Sequence, residues 1–135
     1  MRVLVTGSRD WRDRRAIREE MVKLGTEDMV LVSGAQRSYD KVTHAYYGAD
    51  HIAEVIAADL EWDIERHPAR WEELGRAAGV VRNGEMVNLG ADMCLAFPLP
   101  QSKGTIDCMM RCVEAGIPVK MRTKGMTEAI PWTGV

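Results

Sequence analysis

The sequence has no excess of basic residues and no long apolar run, and we expect no secretory leader. Lys and Arg total 18 against 20 Asp and Glu, so the net charge is −2. Proteins that bind nucleic acids usually carry a basic excess because they neutralise phosphates, so a nucleic-acid partner is disfavoured. No apolar run approaches the ~20 residues that cross a bilayer, and Arg2–Val5 is followed at once by polar Thr6–Arg9. We therefore expect a cytoplasmic protein without a membrane partner.

Cysteine is scarce and odd in number, which argues against a disulfide framework. The three cysteines are Cys94, Cys108 and Cys112, and we expect them to be reduced. Cys108 and Cys112 are one helical turn apart, but no histidine pair accompanies them, so no metal site is predicted. The 135 residues suffice for one domain with a sizeable core.

Short apolar runs alternate with helical patterns along the chain. The runs are near-continuous rather than alternating, which is typical of strands covered on both faces of a parallel sheet. The order predicts an α/β fold: a doubly wound, mostly parallel five-stranded sheet in three layers, Rossmann-like in arrangement. The predicted strands are 2–6, 29–33, 63–66, 92–97 and one from Val119. The domain would span 1–121, with an insertion at about 35–47 and a C-terminal tail at 122–135.

In such a sheet the first and fourth strands lie side by side. Ligands bind at this switch point, beyond the carboxyl ends of the strands. The loops after these two strands are therefore the predicted location of the chemistry.

The loop after the first strand contains Gly7, Ser8 and Arg9. Glycine lets the backbone approach a ligand, the following amides and hydroxyl suit an anion, and the guanidinium of Arg9 suits a phosphate. The alternative is a tight turn in which Arg9 pairs with Asp10 or Asp13.

The loop after the fourth strand contains Ser102, Lys103, Gly104 and Thr105. These residues open the last predicted helix, and a helix N-terminus with hydroxyls, a cation and a glycine is typical of phosphate sites. The spacing is not that of a Walker A motif. The alternative is a capped helix start, with Ser102 or Thr105 as the cap.

Five segments together resemble a known family, the YspA-like (cpYpsA-related) branch of the SLOG superfamily. The resemblance covers roughly residues 1–120 and rests on Val5-Thr6-Gly7-Ser8-Arg9-Asp10-Trp11, Gly48-Ala49-Asp50, His67-Pro68-Ala69, Arg82-Asn83-Gly84-Glu85-Met86 and Ser102-Lys103-Gly104-Thr105-Ile106-Asp107. It implies a Rossmann-like domain that binds a nucleotide or a nucleotide-derived, including NAD-derived, small molecule. SLOG relatives also include LONELY GUY phosphoribohydrolases and DNA-processing proteins.

The resemblance also implies further site residues. Arg82 and Asn83, expected at a helix start after a break near Gly79, would hold a phosphate and a ribose or base edge. Asp50 would contact a ribose hydroxyl. The alternatives are an exposed arginine with a cap at Asn83, and helix capping by Asp50.

The segment Ser102–Asp107 departs from the LONELY GUY motif Pro-Gly-Gly-x-Gly-Thr-x-x-Glu. Cys108 stands where that motif has its catalytic glutamate, and Asp107 is one residue short. A thiol does not stabilise an oxocarbenium-like centre as a carboxylate does. The catalytic residues are therefore unknown, and Asp107 and Asp50 are weak candidates.

The segment Ala35–Tyr47 is longer than the corresponding loop of the family, and long loops are often functional. It leaves the carboxyl end of the second strand, so its aromatic and basic side chains would stack on a base or add polar contacts. These are Arg37, Tyr39, His44, Tyr46 and Tyr47. The alternatives are a flexible insertion or an oligomer contact.

We expect a nucleotide-binding sensor or sequestering protein of the kind met in bacteriophage genomes, which would act in the host cytoplasm. The alternative is a hydrolase of phosphoribohydrolase type that cleaves an N-glycosidic bond; binding of single-stranded DNA is a weaker alternative. No cofactor is predicted, and the family resemblance implies a homo-oligomer, a dimer or larger.

Overall fold

The computed structural model describes residues 1–134; Val135, the last residue of the predicted tail, lies outside the described residues. Its elements are β1 (Arg2–Gly7), α1 (Arg14–Val22), β2 (Val30–Ser33), β3 (Ser38–Asp40), β4 (Ala45–Tyr47), α2 (Ala49–Asp59), β5 (Asp63–Arg66), α3 (Trp71–Leu74), α4 (Ala78–Leu89), β6 (Met93–Phe97), α5 (Lys103–Glu114), β7 (Val119–Met121) and β8 (Ile130–Trp132). A short 3₁₀ turn, Gly75–Ala77, joins α3 to α4.

The main sheet confirms the predicted α/β fold. Its strand order is β5-β2-β1-β6-β7-β8, and the five predicted strands run parallel, with β1 beside β6. The sheet has six strands, one more than the five that the sequence predicts. The tail adds β8 antiparallel to β7, with Val119 opposite Trp132 and Met121 opposite Ile130.

Two apolar clusters cover the two faces of the sheet. One joins the sheet to α1 and α2 through fully buried side chains such as Ile17, Met21 and Ile52. The other joins it to α4 and α5 through Met86, Met109 and the cysteines. Each such side chain contributes about 1.5–3 kcal/mol of burial energy, so the three layers follow from the apolar stripes of the four helices.

The helix break predicted near Gly79 lies instead at Gly75, whose φ of +58° is left-handed. Gly79 is inside α4, and Arg82 and Asn83 therefore lie in the second turn of α4 rather than at its start. None of the helices within residues 1–134 is both long and apolar enough to cross a membrane.

Candidate functional site

A cleft of about 510 Å³ opens at the carboxyl edge of the sheet, where β1 and β6 end side by side. It brings together all ten side chains or backbone positions that the sequence predicts to bind a ligand. They are Gly7, Ser8, Arg9, Asp50, Arg82, Asn83, Ser102, Lys103, Gly104 and Thr105. Their convergence is a property of the fold; that they bind a ligand stays a prediction.

The loop after β1 is held tightly between β6 and α2. Ser8 N–H donates to Phe97 O (3.0 Å), and Ser8 O accepts from Ala49 N–H (3.0 Å). A Cβ added at Gly7 would lie 2.4 Å from Ala49 Cβ and 3.0 Å from Phe97 O. Gly7 is therefore required by the packing of the start of α2 against β6, a different reason from the ligand approach that the sequence predicts.

Arg9 does not pair with Asp10 or Asp13 as the alternative interpretation of this loop expects. Asp13 caps α1 by accepting from Ala16 N–H (3.2 Å). The guanidinium of Arg9 lies over the ring of Trp71, with Cζ 5.1 Å from the ring centroid. It makes no ion pair within the described chain, so it is available to an anion in the cleft.

The opposite wall is the N-terminus of α5. Ser102 occupies the N-cap position, but its hydroxyl accepts from Leu99 N–H (3.0 Å) and caps no helical amide. The first helical bond runs from Ile106 N–H to Ser102 O (3.0 Å). The amides of Gly104 and Thr105 precede it, at the positive end of the helix dipole. A Cβ at Gly104 would meet open space.

Asp50 forms part of the inner end of the cleft. Its carboxylate is only 8% exposed, its Oδ2 accepts from Gln36 N–H (3.1 Å), and it makes no other hydrogen bond among residues 1–134. Burial raises the pKa of Asp50 to about 6, although the positive charges of Arg82 and Arg9 oppose that rise. Asp50 does not cap α2, whose N-cap residue is Gly48.

Arg82 reaches the same point as Asp50 because Gly34 has no side chain. A Cβ at Gly34 would lie 2.6 Å from Arg82 Nη1 and 2.9 Å from Asp50 Oδ2. Arg82 Nη1 donates to Gly34 O. The glycine that ends β2 thus lets a cation and a buried carboxyl group meet at one place.

Both polar atoms of the Asn83 side chain form hydrogen bonds within the protein. Its Oδ1 accepts from Arg82 Nε (3.0 Å), and its Nδ2 donates to Gly104 O (3.1 Å) and Asp107 Oδ2 (3.1 Å). Arg111 Nε also donates to Asp107 Oδ2 (3.0 Å). Asn83 therefore fixes Arg82 relative to α5. Asp107, one of the two weak catalytic candidates, is not among the residues that line the cleft.

A third wall of the cleft lies between β5 and Arg82 and contains none of the predicted ligand-binding residues. Trp71, Arg76 and Val80 line the cleft there, and Gln36 lines it after β2. The rule that placed the site at the carboxyl edge of the sheet applies equally to these loops and could have found them. With this wall included, the cleft has more cationic than acidic side chains. The cations are Arg9, Arg76, Arg82 and Lys103, and the acids are Asp10 and Asp50.

The segment Ala35–Tyr47 forms an antiparallel hairpin, β3–β4, and its tyrosines do not line the cleft. Tyr39 and Tyr46 pack edge to face with centroids 5.1 Å apart, and Arg12 lies 3.7 Å from the centroid of Tyr47. The predicted stacking of these rings on a base in the cleft is therefore wrong.

No group of three or more His, Cys, Asp or Glu side chains in the described part of the chain is placed to hold a metal ion. Cys94, Cys108 and Cys112 are fully buried free thiols. A hydrogen bond with Cys112 and burial raise the pKa of Cys108 well above its usual value.

Comparison with known proteins identifies the family. A family model described as "YspA, cpYpsA-related SLOG family" matches residues 1–73, which include Gly7–Arg9 and Asp50. The Gene 61 protein of Mycobacterium phage D29 is 42% identical over 126 residues, which cover 87% of this chain and 93% of that protein. No solved structure matches the chain. The chain therefore belongs to the YspA, cpYpsA-related SLOG family.

Proposed function

We propose that the cleft binds the phosphate of a nucleotide or nucleotide-derived small molecule, and that the chain acts as a sensor or sequestering protein. Family membership indicates a nucleotide-related function. The observation that carries the proposal is the meeting of Gly7–Arg9, Arg82 and Ser102–Thr105 in one cleft. Three separate parts of the chain supply anion-binding groups to one place, which a capped helix alone would not require.

The phosphate would lie at the start of α5. The amides of Gly104 and Thr105 point out of the first turn, and the helix dipole favours negative charge there. Lys103 supplies a point charge, and Arg82 supplies a guanidinium that Asn83 already holds in place. Charge-assisted bonds of this kind are roughly twice as strong as neutral ones, so they would dominate the affinity.

The sugar next to the phosphate would meet Asp50. A buried carboxylate with a single protein donor has unused acceptor capacity, and burial without partners is unfavourable. A ribose offers two hydroxyl donors, which inorganic phosphate does not. Asp50 therefore favours a nucleotide over a bare anion.

Isothermal titration calorimetry with AMP, ADP-ribose, NAD and cyclic dinucleotides tests the proposal. We expect heat with at least one of these ligands and competition by inorganic pyrophosphate. Lys103→Gln should weaken binding about 10- to 150-fold, since a hydrogen bond to a charged group is worth about 1.5–3 kcal/mol. Lys120→Gln, on β7 and outside the cleft, is the matched control and should change nothing. No heat and no thermal shift with any ligand would overturn the proposal.

A second function is favoured by the ionisation of Asp50. A carboxyl group with a pKa of about 6 keeps its proton in roughly one molecule in ten at pH 7, whereas an ordinary aspartic acid keeps almost none, and it could donate that proton to a departing base. Water would then add across the N-glycosidic bond of a nucleotide and release the base and a phosphorylated ribose. Incubation with nucleoside monophosphates and NAD, followed by chromatography, tests this. Products that disappear with Asp50→Asn support a hydrolase; unchanged substrate at high protein concentration eliminates it.

The proposal also covers the biological context and the assembly of the protein. The phage relative supports a phage-encoded protein acting on nucleotides of the host cytoplasm. We expect a homo-oligomer of two or more chains, which light scattering after size exclusion would measure. We expect no complex with single-stranded DNA, and a gel shift at low salt checks this.

A further inference from the structure

Trp71 is an exposed aromatic residue built into the wall of the cleft. It begins α3, a single turn that has no buried residue. The Trp71 side chain is 39% exposed, and its ring edge contacts the backbone of Gly79, where an added Cβ would lie 3.3 Å from Cη2. Gly79, also a cleft residue, leaves room for the indole at this position.

Two other tryptophans, Trp11 and Trp62, have a structural role, because they are buried and their indole N–H groups are hydrogen-bonded. Trp11 and Trp62 are 3% and 4% exposed, and their Nε1 groups donate to Asp13 O (2.8 Å) and Gly25 O (2.9 Å). Trp71 is far more exposed than these two, and its Nε1 donates to no acceptor within residues 1–134. The fourth tryptophan, Trp132, is partly buried against the second apolar cluster. Burial and hydrogen bonding therefore explain a tryptophan at position 71 less well than they explain Trp11 and Trp62.

The face of Trp71 is covered by a contact that a ligand can replace. The guanidinium of Arg9 lies 5.1 Å from the ring centroid and is exposed, so this is a cation–π contact of the weaker, solvated kind. A nucleobase stacked on an aromatic ring gains more, about 5- to 150-fold in affinity. Exchanging Arg9 for a base is therefore favourable, and it frees Arg9 to contact the phosphate of the same ligand.

We propose that Trp71 is the base-stacking residue of the cleft, so that the ligand is a nucleotide that retains its aromatic base. The inference rests on the proposed function, because it assumes that a phosphate occupies the start of α5. It adds a determinant of specificity: the phosphate site alone would accept any sugar phosphate, and Trp71 would select those that carry a base.

Calorimetric titrations with ribose 5-phosphate and with AMP, GMP, CMP and UMP test the inference. In the unmodified chain we expect the preferred nucleotide to bind about 5- to 150-fold more tightly than ribose 5-phosphate. Trp71→Ala should abolish this preference while ribose 5-phosphate binds within twofold of its original affinity. Trp71→Phe should keep most of it. Val81→Ala is the matched control: it removes an apolar side chain, 38% exposed, from α4 outside the cleft and should keep the preference.

The titrations distinguish a failure of the phosphate site from a failure of base stacking on Trp71. If ribose 5-phosphate and all nucleotides give no heat, the phosphate site fails and the inference fails with it. If ribose 5-phosphate binds but no nucleotide binds more tightly, only the inference is overturned. It is also overturned if Trp71→Ala keeps the preference, if it weakens both ligand types equally, or if Val81→Ala removes the preference as well. Melting curves of the variants establish that each is folded.

Discussion

Gly7 and Gly104 line the same cleft, yet the structure predicts opposite effects of replacing them with alanine. A Cβ at Gly7 would lie 2.4 Å from Ala49 Cβ, 3.0 Å from Phe97 O and 3.1 Å from Phe97 Cβ. Because these atoms belong to the start of α2 and to β6, the backbone itself must move. Overpacking of this kind costs typically about 1–3 kcal/mol. For a domain of this size the Gly7→Ala variant should melt on the order of 5–10 °C lower.

Gly104→Ala places its methyl group in open space inside a helix. Alanine is favoured over glycine there by roughly 0.5–1 kcal/mol, so this variant should melt at or above the original temperature. Urea denaturation of both variants measures the two free energies of unfolding. If Gly7→Ala is as stable as the unmodified chain, the reasoning from close contact is refuted.

A double variant isolates the cause. Ala49→Gly removes the atom that lies nearest to the new methyl group, at the expense of about 1 kcal/mol of helix propensity. In the Gly7→Ala background it should instead restore stability, which gives a coupling energy of about 1–2 kcal/mol between the two positions. Additive effects would mean that the contact with Ala49 is not what excludes a side chain at Gly7.

Three further predictions concern groups buried beside or behind the cleft. The pKa of Asp50 is raised from 3.8 to about 6 in the folded chain, so ionisation of this group destabilises the fold. The free energy of unfolding should therefore be highest below about pH 4 and should fall as the pH rises through 6. Asp50→Asn should therefore be more stable at pH 7 by about 3 kcal/mol and equal near pH 4, measured by urea denaturation at both values. Glu20→Ala removes the nearer of the two carboxylates that pair with the buried Arg122, since Glu20 Oε2 lies 2.9 Å from its Nη1 and Glu19 Oε1 lies 3.6 Å from its Nη2. The variant should lower stability by about 1.5–3 kcal/mol and speed hydrogen exchange in β7; an unchanged midpoint would refute this. Asn83→Ala should remove one of the two hydrogen bonds that hold Arg82, leaving the bond to Gly34 O, and should weaken phosphate binding several-fold in calorimetry. An unaltered affinity would show that Asn83 does not position Arg82.

The sequence predicts the sheet because its strands carry a local signal. Residues 2–6, 29–33 and 92–97 are apolar without alternation, and in β1, β2 and β6 nearly every residue is buried. Burial on both faces is what removes the alternation. The adjacency of β1 and β6 then follows from the rules of right-handed crossovers, and with it the position of the cleft.

The sixth strand has no such signal. Ile130–Trp132 contains a proline and is partly exposed, and its place is set by contacts remote in sequence. Glu20 accepts from Arg122 Nη1 (2.9 Å) and from Ala129 N–H (3.2 Å), which holds both ends of the connection between β7 and β8 against α1. Only the folded structure reveals a buried ion pair across a hundred residues, so propensity alone leaves this segment unassigned.

The helix break was misplaced for a similar reason. Gly75 and Gly79 lie four residues apart and look alike in the sequence. Gly75 adopts a left-handed φ, while Gly79 stays helical with Trp71 packed against it. Tertiary contact decides which glycine interrupts the segment, and that choice also turns Trp71 and Arg76 toward the cleft.

The outermost strands of the sheet limit how copies of this chain could join. On one side the sheet ends at β5, whose sequence Asp63-Ile64-Glu65-Arg66 is mostly charged; on the other it ends at the three residues of β8, with Pro131 in the middle. A proline offers no amide hydrogen, and charged strands resist being paired. Growth of the sheet from one molecule into the next is therefore blocked at both margins. Any dimer or larger assembly should therefore form through the helices, the loops or the β3–β4 hairpin, so its formation would leave the hydrogen-bonded ladder of the main sheet unchanged in each subunit.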